Sequence, residues 1–117
     1  MDDSEEVRNR LKEMLSDISG VEIIGEAGDG HEAIKGIRKL HPDVVILDIR
    51  MPKVNGISVL KSIKGHESSP VTIMLTNYPY PQYRKKCMDL GADYFFDKSN
   101  EFEKVMEVLK HLIQDSQ

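Results

Sequence analysis

Four short apolar runs limit what this 117-residue chain can fold into. They fall at residues 21–24, 44–47, 71–75 and 94–96, with amphipathic stretches before, between and after them. Val44, Val45, Ile46 and Leu47 alternate with nothing polar, while the first run holds Glu22 and the third is interrupted only by Thr72. Such β-branched runs suit strands covered on both faces, as in a parallel sheet. The stretches between them carry a helical period. Val7, Leu11, Met14, Leu15 and Ile18 form one stripe, with Asp3 or Ser4 able to cap its start and Gly20 just past its end. Ala33, Ile34, Ile37 and Leu40 mark a second helix, which Pro42 closes. Two more are expected at residues 57–63 and about 82–90, the latter stopped by Gly91. Phe102, Val105, Met106, Leu109, Leu112 and Ile113 mark the last helix, and residues 114–117 read as a frayed tail. The order α-β-α-β-α-β-α-β-α demands parallel pairing through helical crossovers. The expected fold is therefore α/β, an open parallel sheet with helices on both faces and four strands from this chain.

Length and charge narrow the function. Residues 1–117 fit one domain. With 31% charged residues and no long apolar run, no segment can span a membrane, and the start lacks the pattern of a signal peptide. The net charge of −4 gives no basic face for nucleic acid. Cys87 is the single cysteine, so no disulfide framework forms, and a reducing cytoplasm is the plain reading. His31, His41, His66 and His111 never fall at a spacing that pairs two on one helix face.

In open parallel sheets, functional groups gather beyond the carboxyl ends of the strands. Asp48 follows the second run, Thr76 the third, and Asp97 and Lys98 the fourth, while Asp2 and Asp3 precede the first helix. Each has an ordinary reading as well. Asp3 suits an N-cap, Asp48 and Thr76 can merely end strands, Lys98 can be solvated, and Phe95 faces a core in any account. Gly25, Gly28 and Gly30 hint at a phosphate-cradling turn, but their spacing misses Gly-x-Gly-x-x-Gly.

Taken together, four blocks carry a resemblance over nearly the whole chain. VVILDIRMPKVNG at residues 44–56 resembles the phosphoacceptor loop of response-regulator receiver domains in two-component signalling. MDDS at the start, LTN at 75–77 and GADYFFDK at 91–98 match the same family in order and spacing. The resemblance implies a flavodoxin-like fold in which Asp48 takes a phosphoryl group from the phosphohistidine of a sensor histidine kinase. It implies Mg²⁺ bound by Asp2, Asp3, Asp48 and the backbone carbonyl of Arg50. Thr76 would hydrogen-bond the phosphoryl group and Lys98 would pair with its charge, while Thr76 and Phe95 would switch a face for a downstream output domain or protein. That face is expected around residues 83–90, the last strand and the closing helix. On this reading the chain is a signalling phosphoacceptor and not an enzyme. Two other classes compete. One is a receiver-like docking or dimerisation module that needs no phosphorylation. The other is an aspartate-nucleophile phosphatase, which wants a second acid two residues after its nucleophile, where this chain has Arg50.

The chain also departs from the family's pattern. A receiver opens with an apolar strand at the centre of a five-stranded sheet in the order 2-1-3-4-5, yet only Met1 precedes Asp2. That strand would bury several aliphatics worth about 1.5–3 kcal/mol each, which rivals a whole domain's stability. The chain therefore reads as N-terminally shortened, as rearranged (by homodimerisation, strand exchange or pairing of residues 21–24 beside 44–47), or as a degenerate receiver. Asp2 and Asp3 are then expected to be imperfectly held. The end of the chain after the closing helix suggests a stand-alone receiver or an excised front module. Asn77 after the threonine is large enough to narrow donor access, and Ser99 stands where a proline usually follows the lysine. Arg50 and Tyr78 flank the pocket and are expected to hinder an attacking water, so self-dephosphorylation should be slow. Truncating both to alanine should shorten the phosphoryl lifetime, followed by intact mass; an unchanged lifetime would count against their role.

Overall fold

The strand β2 (Val71–Thr76) lies between the other two described strands, β1 (Val44–Leu47) and β3 (Tyr94–Asp97), and pairs with both in parallel. The computed structural model describes residues 5–16, 25, 27–49, 55–64, 70–77 and 79–115. Within them the helices are α1 (Glu5–Ser16), α2 (Gly30–Leu40), α3 (Gly56–Ile63), α4 (Pro81–Asp89) and α5 (Phe102–Asp115). The expected strand at 21–24 lies outside the described residues, as do the caps Asp3, Ser4 and Gly20 and the question of a strand before Asp2.

Burial follows the period of two along each strand. Val45, Leu47, Met74 and Phe95 face one way and pack with Ala33 and Ile37 of α2, Val59, Leu60 and Ile63 of α3, and Cys87 of α4. Ile73 and Leu75 face the other way and pack with Leu11 of α1 and Phe102, Val105 and Leu109 of α5. Helices therefore cover both faces, as the sequence order required. From Thr72 to Thr76 every residue of β2 is buried. β1 departs from the expectation of burial on both faces. Val44 and Ile46 are half-buried, packed against the margin of the α1–α5 cluster.

Strand and helix ends also shift by a residue or two. Thr76 and Asp97 are paired with each other as the last residues of their strands instead of following them. Gln114 and Asp115, read from sequence as a frayed tail, continue α5, since nothing there breaks a helix. Residue types explain the other ends. Asp29 caps α2 by accepting from Glu32 N at 3.0 Å, and Asn55 caps α3 by accepting from Ser58 N at 3.0 Å. Past α4, Gly91 takes φ 104°, a conformation that a Cβ disfavours, while Ala92 N donates to Cys87 O at 3.0 Å.

Gly56 fixes the loop after β1. Its N–H donates to Ile49 O at 2.8 Å, and a Cβ there would stand 1.8 Å from the carbonyl oxygen of Asp48. Since both partners are backbone, no rotamer change can relieve the clash. Gly56→Ala should lose about 1–3 kcal/mol of stability in urea unfolding. A variant as stable as the parent would show that the close approach is unimportant.

Candidate functional site

Parallel pairing brings the ends of the three strands to one edge. Asp48 follows β1, Thr76 ends β2 and Lys98 follows β3. All three are buried, with Asp48 at 5% and Lys98 at 9% exposure and Thr76 fully enclosed. The Lys98 ammonium donates to Asp48 Oδ2 at 2.6 Å across 50 residues of sequence. This is a short, charge-assisted contact in a place from which most water is excluded. Lys98 is also fixed from behind, since its backbone N–H donates to Thr76 O at 2.9 Å.

The turn that carries Lys98 is held by acids. Asp97 Oδ1 accepts from Ser99 N at 2.9 Å and Oδ2 from Asn100 Nδ2 at 3.0 Å. Glu101 Oε1 accepts from Asp97 N at 3.1 Å, and Glu101 N donates back to Asp97 O at 2.8 Å. These bonds form the turn with Ser99 where the family has proline. A hydrogen bond from Lys104, then the Asp97 N–H, keeps the Glu101 carboxyl below the usual carboxylate range. Asn77 is exposed and, with Lys98, Arg10 and Phe102, lines a cavity of about 520 Å³. The Arg10 guanidinium lies 4.1 Å from the Phe102 ring centroid, tying α1 to α5.

The arrangement thus unites Asp48, Thr76 and Lys98. Phe95 is buried in the α2–α3–α4 cluster, three residues before Lys98. Asp2, Asp3, Arg50 and Tyr78 lie outside the described residues. Among the described residues, no group of three His, Cys, Asp or Glu side chains could hold a metal. Asp48 supplies one hard oxygen donor, and the set implied with Asp2, Asp3 and the Arg50 carbonyl is all oxygen, which suits Mg²⁺. Sequence reasoning passed over three residues: Gly56 as a close-approach position, Glu101 as the brace of the lysine turn, and Arg84. The first two had a local signal, a glycine after the asparagine cap and an acid four residues after Asp97. Arg84 had none, because its partners lie on other elements.

An open parallel α/β sheet with a buried carboxylate, hydroxyl and ammonium at its carboxyl edge defines the class. The family model for the response regulator receiver domain matches residues 1–110, and the chain belongs to that family. It is 37% identical over 120 residues to a protein-glutamate methylesterase/protein-glutamine glutaminase of Methanospirillum hungatei, matching 98% of this chain and 35% of that protein. The chain thus spans about a third of the length of that curated relative. Its structure is similar to the response regulator domain of Thermotoga maritima CheB, with TM-score 0.84, 30% identity, and coverage of 97% of this chain and 90% of that one. It is also similar to a chain of the CheX-CheY-BeF3-Mg+2 complex of Borrelia burgdorferi, with TM-score 0.78, 32% identity, and coverage of 92% and 84%.

These relatives correct one expectation. The sequence alone read as a signalling phosphoacceptor and not an enzyme. Yet proteins named as methylesterases and glutaminases carry a segment similar to nearly all of it, so the chain has enzyme relatives. The reason lies in its span, since a receiver segment gives no sign of what longer proteins join to it. Among the described residues, no helix is long and apolar enough to cross a membrane.

The buried pair gives a measurable coupling. Lys98→Met strands the Asp48 carboxylate without its cation and should cost about 3–5 kcal/mol in urea unfolding. Adding Asp48→Asn should recover part of that loss. Strictly additive costs would show that the two side chains are not coupled.

Proposed function

We propose that Asp48 is the phosphoacceptor of a two-component relay and takes a phosphoryl group from the phosphohistidine of a sensor histidine kinase. The observation that supports it best is the 2.6 Å contact of the buried Lys98 ammonium with Asp48 Oδ2 at the carboxyl edge of the sheet. One oxygen of Asp48 attacks phosphorus, the phosphorus–nitrogen bond to imidazole breaks, and the leaving nitrogen keeps the electron pair. A carboxylate is a weak nucleophile, and its reaction adds charge to a site already lined with acids. Asp2, Asp3, Asp48 and the Arg50 carbonyl would hold Mg²⁺, which supplies charge neutralisation for the loose transition state of phosphoryl transfer. Lys98 moves its hydrogen bond from the carboxylate to a phosphoryl oxygen. The Thr76 hydroxyl binds another.

Phosphorylation replaces one negative charge by about two and adds strong acceptors. Thr76 is drawn to them, Phe95 follows in the space it vacates, and the face formed by α4, β3 and α5 changes for a downstream output domain or protein. The domain would act in the cytoplasm. Its family relatives include proteins named as methylesterases, so a catalytic output is one class of partner that this face could regulate.

Incubation with Mg²⁺ and acetyl phosphate should add one phosphoryl group by intact mass, and Asp48→Asn should abolish the gain. Folded parent protein that gains no mass under these conditions would favour the reading of a docking module independent of phosphorylation.

A further inference from the structure

Helix α4 is lightly anchored. Of its nine residues only Cys87 is buried, Tyr83 is half-buried, and the N-cap residue Tyr80 makes no side-chain capping bond. Exposed Tyr80 and Met88 face solvent at its two ends. Among the described residues, the hydrogen bond that joins an α4 side chain to the sheet is that of Arg84, whose Nη1 donates to Phe95 O at 3.2 Å. The same guanidinium lies 4.8 Å from the Phe95 ring centroid, and its Nη2 is 4.0 Å from Glu101 Oε1.

The place of these contacts matters. β3 is an edge of the described sheet, and an edge strand offers unpaired backbone groups. Alternate residues of a parallel strand turn these groups to the same side. Phe95 and Asp97 therefore present theirs outward, and each is met by one member of the pair. Arg84 takes the Phe95 carbonyl, while Glu101 takes the Asp97 N–H at 3.1 Å. Arg84 and Glu101 together close the free edge of β3 beside the residue that leads into Lys98. A continuous set of contacts then runs from Asp48 through Lys98 and the 97–101 turn to Arg84 and α4.

We infer that Arg84 is a positioning residue that couples the state of Asp48 to the packing of α4, by clamping the β3 edge to Glu101 across the lysine turn. The inference rests on the reading of Asp48 as the phosphoacceptor. When Lys98 follows the phosphoryl group, the turn it heads shifts, Arg84 loses its joint hold on Phe95 and Glu101, and α4 opens more often. By linkage, release of Arg84 must in turn alter the site at Asp48.

The protein carries its own reporter. Cys87, the single cysteine, is fully enclosed on α4 three residues after Arg84, and burial pushes its thiol up to about 11. A thiol of that kind reacts only from opened states, so its labelling rate reads the opening of α4. The experiment measures Cys87 labelling by a disulfide reagent at pH 8, with and without acetyl phosphate and Mg²⁺, and weighs the same samples by intact mass. Phosphorylated parent protein should label about fivefold faster or more, the lower range of allosteric couplings. Arg84→Ala should label faster from the start and respond to phosphorylation by less than about twofold, with circular dichroism confirming its fold. Arg84→Lys, which keeps the charge but not the fork, should fall between them.

Phosphorylated parent protein with unchanged labelling would overturn the inference, as would a full response in Arg84→Ala. Protein that gains no phosphoryl mass would overturn the reading beneath it instead. In that case Asp48→Asn perturbs the same Lys98 contact, and equal effects on Cys87 with and without Arg84 would overturn the coupling independently.

Discussion

The 2.6 Å contact between Lys98 and Asp48 ties the far end of the chain to its middle, and much of the edge depends on it. Two opposite charges, each with less than a tenth of its surface exposed, can be buried only together, since either alone would bear an uncompensated desolvation cost. Their meeting fixes where β1 and β3 end relative to each other. Because β2 lies between those strands, it also places Thr76 at the same edge. The sheet core supports this arrangement from below, since Leu47, Met74 and Leu75 just before the edge are almost fully enclosed.

The opposite edge of the sheet has a polar tie of its own. Lys64, at the end of α3, donates to Pro70 O at 2.8 Å and to Asp93 Oδ2 at 2.9 Å, while Thr72 N donates to the same Asp93 oxygen at 2.8 Å. These bonds clamp the start of β2 to the start of β3 at the end remote from Asp48. The two ends differ in burial. At the remote one the Lys64–Asp93 pair is partly exposed and shares its bonds with the backbone, whereas the Lys98–Asp48 pair is enclosed and, in the proposed function, would exchange its carboxylate partner for a phosphoryl group. Under the proposed function, such a domain would change at one end while the remote bonds hold the sheet, as a population shift between two packed states requires.

The relatives set this edge in a wider frame. The chain belongs to the receiver family, and longer proteins containing a similar segment include enzymes. A fold of this kind hosts many outputs, and the residues at its carboxyl edge are separable from whatever follows them. The contacts of Arg84 reach Phe95 of β3 and Glu101 of the lysine turn. They join α4 to the turn that presents Lys98.

Much of this was legible in the sequence. Apolar runs without alternation marked the strands, and the helices between them marked a parallel sheet covered on both faces. That holds along β2 but only by halves along β1. Asp48, Thr76 and Lys98 were legible because each stands at a strand's carboxyl end, where parallel pairing alone must collect them. Strand ends were not legible, as with Thr76 and Asp97, because ladder pairing and not composition decides where a strand stops. The half-burial of Val44 and Ile46 and the close approach of Gly56 to Asp48 came only with the tertiary structure. So did the links from Arg84 to Phe95 and Glu101, since they join residues from different elements with no sequence period to relate them. Periodicity and strand-end chemistry are local properties that a sequence carries openly. Which side chains meet across elements depends on the packed distances between them, and only the folded chain sets those.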